Sequence, residues 1–288
     1  MGPGAAEPGA GAWRTDTVRR EDVDLAVREL GDPDAPTVVM VHGWPDTHRV
    51  WQGVAERLAP HLRVVAYDTR GMGRSRTGAP DEAFALPRLA ADLSAVLDAV
   101  SPDRPVHVLG HDWGSVQAWE AVCEPGAETR IASFTSMSGP NLDHVALWVR
   151  DTLRRPRPAR VAALLGQAVS SSYVPFLVSP LAPPVLGAVG SRDMVSGLRY
   201  YRANVLTGAR APRERRTTVP VLQLALTRDP AIREGALVAS EPWCEDLRRR
   251  RLRLGHWAPV TAPDLVADEV LAFVTSVESG ESGARGPR

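Results

Sequence analysis

The stretch Val106-His107-Val108-Leu109-Gly110-His111-Asp112-Trp113-Gly114-Ser115 constrains this chain more than any other. An apolar strand runs into a tight turn with Gly two before and two after a polar residue, and a helical pattern over residues 116–123 follows at once. That is the layout of a nucleophile elbow, in which small residues let strand and helix approach closely and lift one side chain to the top of a sheet. The residue at the apex is Asp112 rather than Ser. A carboxylate is a poor acyl-transfer nucleophile, but it can displace at an sp3 carbon and form an alkyl ester that water then cleaves. Epoxides and alkyl halides suit that step. The plainer alternative is an N-cap, since Asp favours that position and carboxylates suit helix N-termini; the paired glycines Gly110 and Gly114 fit the elbow better.

The rest of the chain supplies the sheet that such a turn needs. Residues 14–19 and 23–28 alternate as two strands about a Glu21-Asp22 turn. Residues 37–41, 63–67, 105–109, 131–137 and 219–226 are apolar runs of the kind buried parallel strands carry, and 250–254 is a shorter one. Residues 51–58 and 86–100 read as helices, and 263–277 closes the chain as an amphipathic helix. Alternation of strand and helix predicts an α/β fold with a mostly parallel sheet covered on both faces. It stops between 139 and 218, where Arg- and Pro-rich helical pieces at 153–169 and 197–206 predict an inserted helical cap. The expected organisation is a flexible leader at 1–12, a core at 13–138 and 219–277, the cap at 139–218 and a disordered tail at 278–288.

Composition narrows the function classes. At 288 residues the chain can bury a sizeable core in one large domain. Its basic residues are all Arg, and 34 of them balance 34 Asp plus Glu, so nothing in the overall charge argues for nucleic acid or an acidic membrane surface. The run 248–251 is a short basic patch before a strand and reads as a solvated face. The N-terminus lacks the basic start and apolar run of a signal peptide. The most apolar segment, 173–189, is interrupted by Pro175, Pro180, Pro183 and Pro184, so no membrane-spanning helix is expected. Two cysteines, Cys123 and Cys244, are too few for a disulfide framework and lack metal-ligand spacing. A reducing, cytoplasmic setting and no metal follow as expectations.

Four stretches taken together resemble the α/β-hydrolase superfamily, in its epoxide hydrolase and haloalkane dehalogenase branch: Gly110-His111-Asp112-Trp113-Gly114, His42-Gly43-Trp44-Pro45, Asp68-Thr69-Arg70-Gly71-Met72-Gly73-Arg74-Ser75 and Gly255-His256-Trp257. They occur in the family's order. Residues 106–122 and 138–145 also resemble the hydrolase portion of bacterial proteins that fuse an epoxide hydrolase-like domain to a short-chain dehydrogenase. No Gly-x-Gly-x-x-Gly follows a strand, so the hydrolase portion is expected to stand alone.

The resemblance implies the remaining roles. His256 is the expected base, because chain order in this fold puts the histidine last. Asp229, after the strand at 219–226, is the expected acid that orients it, although Ala225-Leu226 departs from the aromatic and Gly commonly seen there; Asp143 is the fallback. Backbone N–H groups of Trp44 and Trp113 would form the oxyanion hole, with His42, Gly43 and Pro45 shaping the loop. Tyr201 is the expected proton donor to an opening epoxide, and either Tyr173 or Tyr200 is the second. The indole of Trp113 could instead bind a halide, which keeps dehalogenation as the alternative. Trp113 stands where fluoroacetate-type enzymes carry Arg, so a neutral, mostly apolar substrate is expected. The resemblance implies no cofactor and no partner beyond a small-molecule substrate, and it leaves a homodimer open. A ligand-binding homologue with a spent site is the alternative from another class.

Overall fold

The structure, a computed structural model, describes residues 12–280; residues 1–11 of the leader expected at 1–12, and residues 281–288 of the tail expected at 278–288, lie outside the described residues. Eight strands form one sheet in the order β1-β2-β4-β3-β5-β6-β7-β8. They are β1 Arg14–Arg20, β2 Val23–Leu30, β3 Thr37–Val41, β4 Arg63–Tyr67, β5 Val106–His111, β6 Ile131–Met137, β7 Val221–Leu226 and β8 Leu247–Leu252. The pairs β1·β2 and β2·β4 are antiparallel and all the others are parallel.

Strand periodicity explains the continuous apolar runs. In β3, Val39 and Val41 point to the face covered by α2 (Leu86–Val100) and α3 (Trp113–Val122), while Val38 and Met40 point to the face covered by α1 (Gln52–Leu58) and α12 (Pro263–Glu278). A strand buried on both sides has no polar position to alternate with. Leu93, Val96 and Trp119 fill the first layer, and Trp51, Val54, Val266 and Phe273 fill the second.

Between β6 and β7 lie six helices: α4 Leu142–Arg154, α5 Pro158–Ser170, α6 Val174–Val178, α7 Ala182–Val189, α8 Arg192–Ser196 and α9 Leu198–Arg210. After β7 come α10 Glu234–Val238 and α11 Ala258–Thr261. The helix expected at 153–169 is in fact split. The chain leaves helical geometry at Arg155, and α5 starts afresh with Pro158 in its first turn, where a proline costs no hydrogen bond. Likewise Pro175 and Pro183 sit in the first turns of α6 and α7, so the prolines that break the apolar run also begin its helices. Leu177, Leu186, Leu198, Tyr200 and Tyr201 of the insertion pack against Met72, Phe84 and Trp113, which docks it over the loops that follow β4 and β5.

Two further expectations need correction. The last strand is Leu247–Leu252, not 250–254, so the arginines at 248–251 lie within it; Arg249 binds Gln223 and Glu241, Arg250 pairs with Glu269 and Arg251 with Glu234. An edge strand with charged outward positions is a common guard against edge-to-edge pairing. Glu278, expected in the tail, closes α12, and its Oε1 lies 3.1 Å from Nε2 of the buried His107.

Candidate active site

The elbow has the backbone that its sequence demanded. Asp112 has φ 52° and ψ −127°, a left-handed conformation that costs a non-glycine residue about 1–3 kcal/mol. The turn closes because its flanks are bare. A side chain at Gly114 would collide with the Val41 carbonyl of β3, and one at Gly110 would come within 2.6 Å of the Ser115 Cα. The Asp112 side chain does not cap α3, so the N-cap alternative is set aside.

The carboxylate meets two backbone donors. Asp112 Oδ1 accepts from the Trp44 N–H at 2.7 Å, and the Trp113 N–H acts on the same carboxylate. Gly43 lets the β3 loop come this close, because any side chain there would strike Asp112 Oδ1. His42 holds the loop in place: its Nδ1–H donates to the Gly43 carbonyl at 2.9 Å and its Nε2 accepts from the Thr69 N–H at 3.0 Å. The Trp44–Pro45 peptide bond is cis.

On the other side of Asp112 stands His256, with Nε2 3.7 Å from Asp112 Oδ2 and Nδ1 2.9 Å from Asp229 Oδ2. The Asp229 contact fixes the tautomer: Nδ1–H donates to the carboxylate, which leaves the Nε2 lone pair facing Asp112. Asp229 is held in turn by the Ser138 hydroxyl at 2.6 Å, and its Oδ1 accepts from the Ala231 and Ile232 N–H groups at 2.8 and 3.2 Å. The turn at Asp229-Pro230 and the partner of His256 are therefore one structure. Asp143, the fallback, is bound to Arg213 instead. Side-chain exposure grades along the line, 1% at Asp229, 8% at His256 and 14% at Asp112, so the end that can meet a small molecule is Asp112.

Electrostatics sort the three groups. Burial is the largest influence on Asp112 and raises its pKa to about 6, against the pull of His256 and the two N–H donors. Burial alone would depress His256, but the Asp229 hydrogen bond and the Asp112 and Asp229 charges outweigh it and raise its pKa. Asp229 goes the other way: burial disfavours its charge, yet the His256 and Ser138 hydrogen bonds hold its pKa below 3.8.

Tyrosines of the insertion come down over this group. The Tyr201 ring lies edge-on to Trp113 at 4.9 Å, to Trp44 at 5.5 Å and to Tyr173 at 6.4 Å. The Tyr173 and Tyr201 hydroxyls interact with each other, and both feel the Asp112 charge. Burial pushes Tyr173 up to about 12 and Tyr201 well above its ordinary value, so both keep their protons. Tyr200 is turned away: its hydroxyl donates to the Arg70 carbonyl at 2.6 Å and lies 2.9 Å from Thr69 Oγ1. That separates the two candidates for second donor, since Tyr173 shares the space of Tyr201 and Tyr200 does not. The Trp44 indole donates to the Met194 carbonyl at 2.9 Å and ties the insertion to the β3 loop.

Sequence reasoning missed three neighbours. Ser138, φ 55°, sits at the end of β6 and orients Asp229; a hydroxyl where a parallel strand ends was the available signal. Asp46, whose Oδ2 accepts from the Trp257 indole at 3.1 Å and whose pKa burial raises, was the one carboxylate in the His42-to-Asp46 loop. His111 donates Nε2–H to the His256 carbonyl at 2.8 Å and braces the loop that carries His256. Burial takes its pKa down to about 3, so it stays neutral. Among the described residues no group of three or more His, Cys, Asp or Glu side chains is placed to hold a metal ion.

The sheet order, the elbow and the His–Asp pair define a class, and comparison with known proteins names it. The chain belongs to the α/β-hydrolase fold family, whose model matches residues 36–263. It is 36% identical over 283 residues to a Mycobacterium tuberculosis protein named Probable oxidoreductase EphD, covering 88% of this chain and 48% of that one, so it spans about half the length of the curated relative it matches. Epoxide hydrolase A of the same organism is 40% identical over 121 residues, 42% of this chain and 37% of that protein. Among solved structures, one described as a novel epoxide hydrolase from metagenomes of hot environments superposes with a TM-score of 0.77 at 21% identity, covering 92% of this chain and 99% of that one. At that identity the likeness speaks to fold.

Proposed function

We propose that this protein is an epoxide hydrolase acting on a neutral, mostly apolar epoxide, with the insertion α4–α9 as the cap over its site. The observation that carries this reading is a carboxylate at an elbow, between two backbone donors and an oriented histidine, beneath a pair of protonated tyrosines. The relatives named epoxide hydrolases support it.

In this mechanism Asp112 Oδ2, the oxygen not bound by Trp44, attacks an epoxide carbon. The C–O bond of the ring breaks, and the alkoxide takes a proton from Tyr201 or Tyr173, since an alkoxide leaving group needs a donor. The alkyl ester has no charge, so His256 loses the Asp112 contribution that raised its pKa, and more of it is neutral and able to accept a proton at neutral pH in the intermediate. His256 Nε2 then takes a proton from water, which adds to the ester carbon. The oxyanion forming at Oδ1 is met by the Trp44 and Trp113 N–H groups, the kind of preorganised donor pair worth roughly 3–4 kcal/mol per donor in an acyl-transfer site. Collapse expels the ester oxygen, which takes the proton of the newly added hydroxyl and leaves as the diol, and the proton held on His256 returns to the tyrosinate, so Asp112, His256 and the tyrosine are all restored.

The test is to assay the protein with a panel of epoxides and of chloro- and bromoalkanes, reading diol and halide separately. Diol from epoxides with no halide release is the expected result. Halide release alone would move the assignment to haloalkane dehalogenase, and tight binding with no turnover of either would make the protein a ligand-binding homologue.

Two predictions follow from the same geometry. Tyr201→Phe is expected to lower kcat on epoxides about 10²–10³-fold, and Tyr173→Phe to lower it less, while Tyr200→Phe leaves kcat near wild type and costs about 1 kcal/mol of stability through the lost Arg70 hydrogen bond. Steady-state kinetics and urea unfolding of the three variants check it. Ring opening needs Asp112 ionised and a tyrosine protonated, so kcat/KM should fall as pH drops through about 6 and stay level above it until the tyrosines titrate. A pH profile of kcat/KM that is flat down to the ordinary carboxylate range would contradict the raised pKa of Asp112.

A further inference from the structure

One helix of the insertion, α5, has its polarity reversed. In α5 the buried positions are Gln167 and Ser170, both polar: Gln167 Oε1 accepts the Arg233 N–H at 2.8 Å, its Nε2 donates to the Ala231 carbonyl at 2.9 Å, and Ser170 Oγ accepts from Arg233 Nε at 2.7 Å. The positions turned to solvent include Ala162, Leu165 and Val169, one helical stripe. A helix of a soluble domain ordinarily does the opposite. Further apolar exposure follows at α7, which buries Ala182 and Leu186 yet leaves Val185 and Val189, and Leu181 just before it, exposed. Leu165, Val169, Leu181 and Val189 are each more than 60% exposed. Of the eleven large hydrophobic side chains exposed among the described residues, eight lie between 153 and 189, so this is a property of one segment and not of the surface at large.

The charge of that segment is equally one-sided. Between Asp151 and Asp193 there is no acidic residue, and there are five arginines, Arg154, Arg155, Arg157, Arg160 and Arg192. Arg154, Arg155 and Arg157 are exposed where the chain passes from α4 to α5, immediately before the helix that carries the stripe. The balance of 34 basic and 34 acidic residues over the whole chain conceals this local excess of +5, of which Arg160 is paired with the bounding Asp151.

We propose that the outer face of α5–α7 docks on an anionic lipid surface, with its apolar side chains in the headgroup boundary and Arg154, Arg155 and Arg157 on lipid phosphates. Apolar area with flanking arginines is the composition by which interfacial helices lie on membranes without spanning them. Charge complementarity selects this occupant over a second copy of the chain: a two-fold interface would bring the same patch against itself and set arginine against arginine, whereas a lipid phosphate neutralises it. No helix among the described residues is long and apolar enough to cross a membrane, so the contact is peripheral. Tyr173, 38% exposed between α5 and α6, joins this face to Tyr201 beneath it, which places the docked surface next to the site. The inference stands on the outer face alone and does not depend on which reaction Asp112 performs.

The test is co-sedimentation of the full chain with vesicles of phosphatidylcholine alone and of phosphatidylcholine with phosphatidylglycerol. Wild type is expected to sediment with the anionic vesicles, to do so less as salt rises, and to bind phosphatidylcholine alone weakly. Arg154→Gln/Arg155→Gln/Arg157→Gln should weaken anionic binding by more than tenfold, since each arginine near such a surface contributes roughly fivefold. Leu165→Asp/Val169→Asp should abolish it; both changes are on solvent-exposed positions, and an unchanged near-UV circular dichroism spectrum shows that the fold is kept. Failure of wild type to sediment with anionic vesicles would overturn the proposal, as would wild-type binding by both variants. A wild-type dimer in sedimentation velocity that Val169→Asp splits would also overturn it, by giving the face to a second copy.

Discussion

Asp112→Ala is expected to lower kcat at least about 10⁴-fold, because it removes the only group in the account that forms a bond to substrate. The loss should appear equally in kcat and kcat/KM. The isosteric Asp112→Asn separates this role from a structural one through stability. Asp112 ionises at about 6 in the fold against 3.8 for the unperturbed group, so the folded state disfavours its charge. The stability that the neutral carboxyl provides is complete below 3.8 and is lost as pH rises through about 6. Well above that pH the Asn variant should therefore be more stable than wild type, by about 1–3 kcal/mol, and near the ordinary carboxylate pKa the two should converge. Urea unfolding at the two pH values checks the sign. A carboxylate that served packing or capping would give the opposite result, a variant both active and destabilised.

Asp229→Asn carries the second large effect, a fall in kcat of about 10³–10⁴-fold with KM little changed. The amide can present its N–H₂ to His256 Nδ1, which would place the imidazole proton on Nε2, facing Asp112, where the mechanism needs a lone pair. The same change removes a buried charge that raises the His256 pKa, so any residual activity should show an acid limb shifted to lower pH. Ser138→Ala should show a weaker version of both effects, because Ser138 acts through Asp229 alone. Steady-state kinetics across pH measures all of this, and wild-type kcat in Asp229→Asn would remove Asp229 from the account.

Much of this arrangement was legible in the sequence, and the parts that were not have physical reasons. The strands β3 to β7 could be read because burial on both faces leaves an uninterrupted apolar run, and the elbow because two glycines are needed wherever a helix turns back against its own strand. The last strand was misplaced by a few residues because β8 is an edge: Arg249, Arg250 and Arg251 satisfy their charges sideways on Gln223, Glu269 and Glu234, and a strand that needs no apolar run gives no apolar signal. The insertion was the least legible. Of its six helices, α5, α6 and α7 begin at prolines, and α5 buries polar rather than apolar positions, so the apolar periodicity that marks a helix is broken there. Within the site, Asp112, His256 and Asp229 could be expected from chain order, whereas Ser138 and Asp46 act through distances that only the fold creates. The choice between Tyr173 and Tyr200 was of the same kind: adjacent residues on one helix point about 100° apart, so Tyr200 and Tyr201 cannot both face Asp112, and only the docked helix decides which one does.

The most direct test of the central claim is the intact mass of His256→Gln after exposure to an epoxide that wild type converts. Without the base, ring opening should proceed and ester hydrolysis should stall, so the account predicts a stable adduct equal in mass to the whole epoxide, mapped by peptide fragmentation to Asp112. An unmodified protein, or an adduct on any other residue, would contradict it.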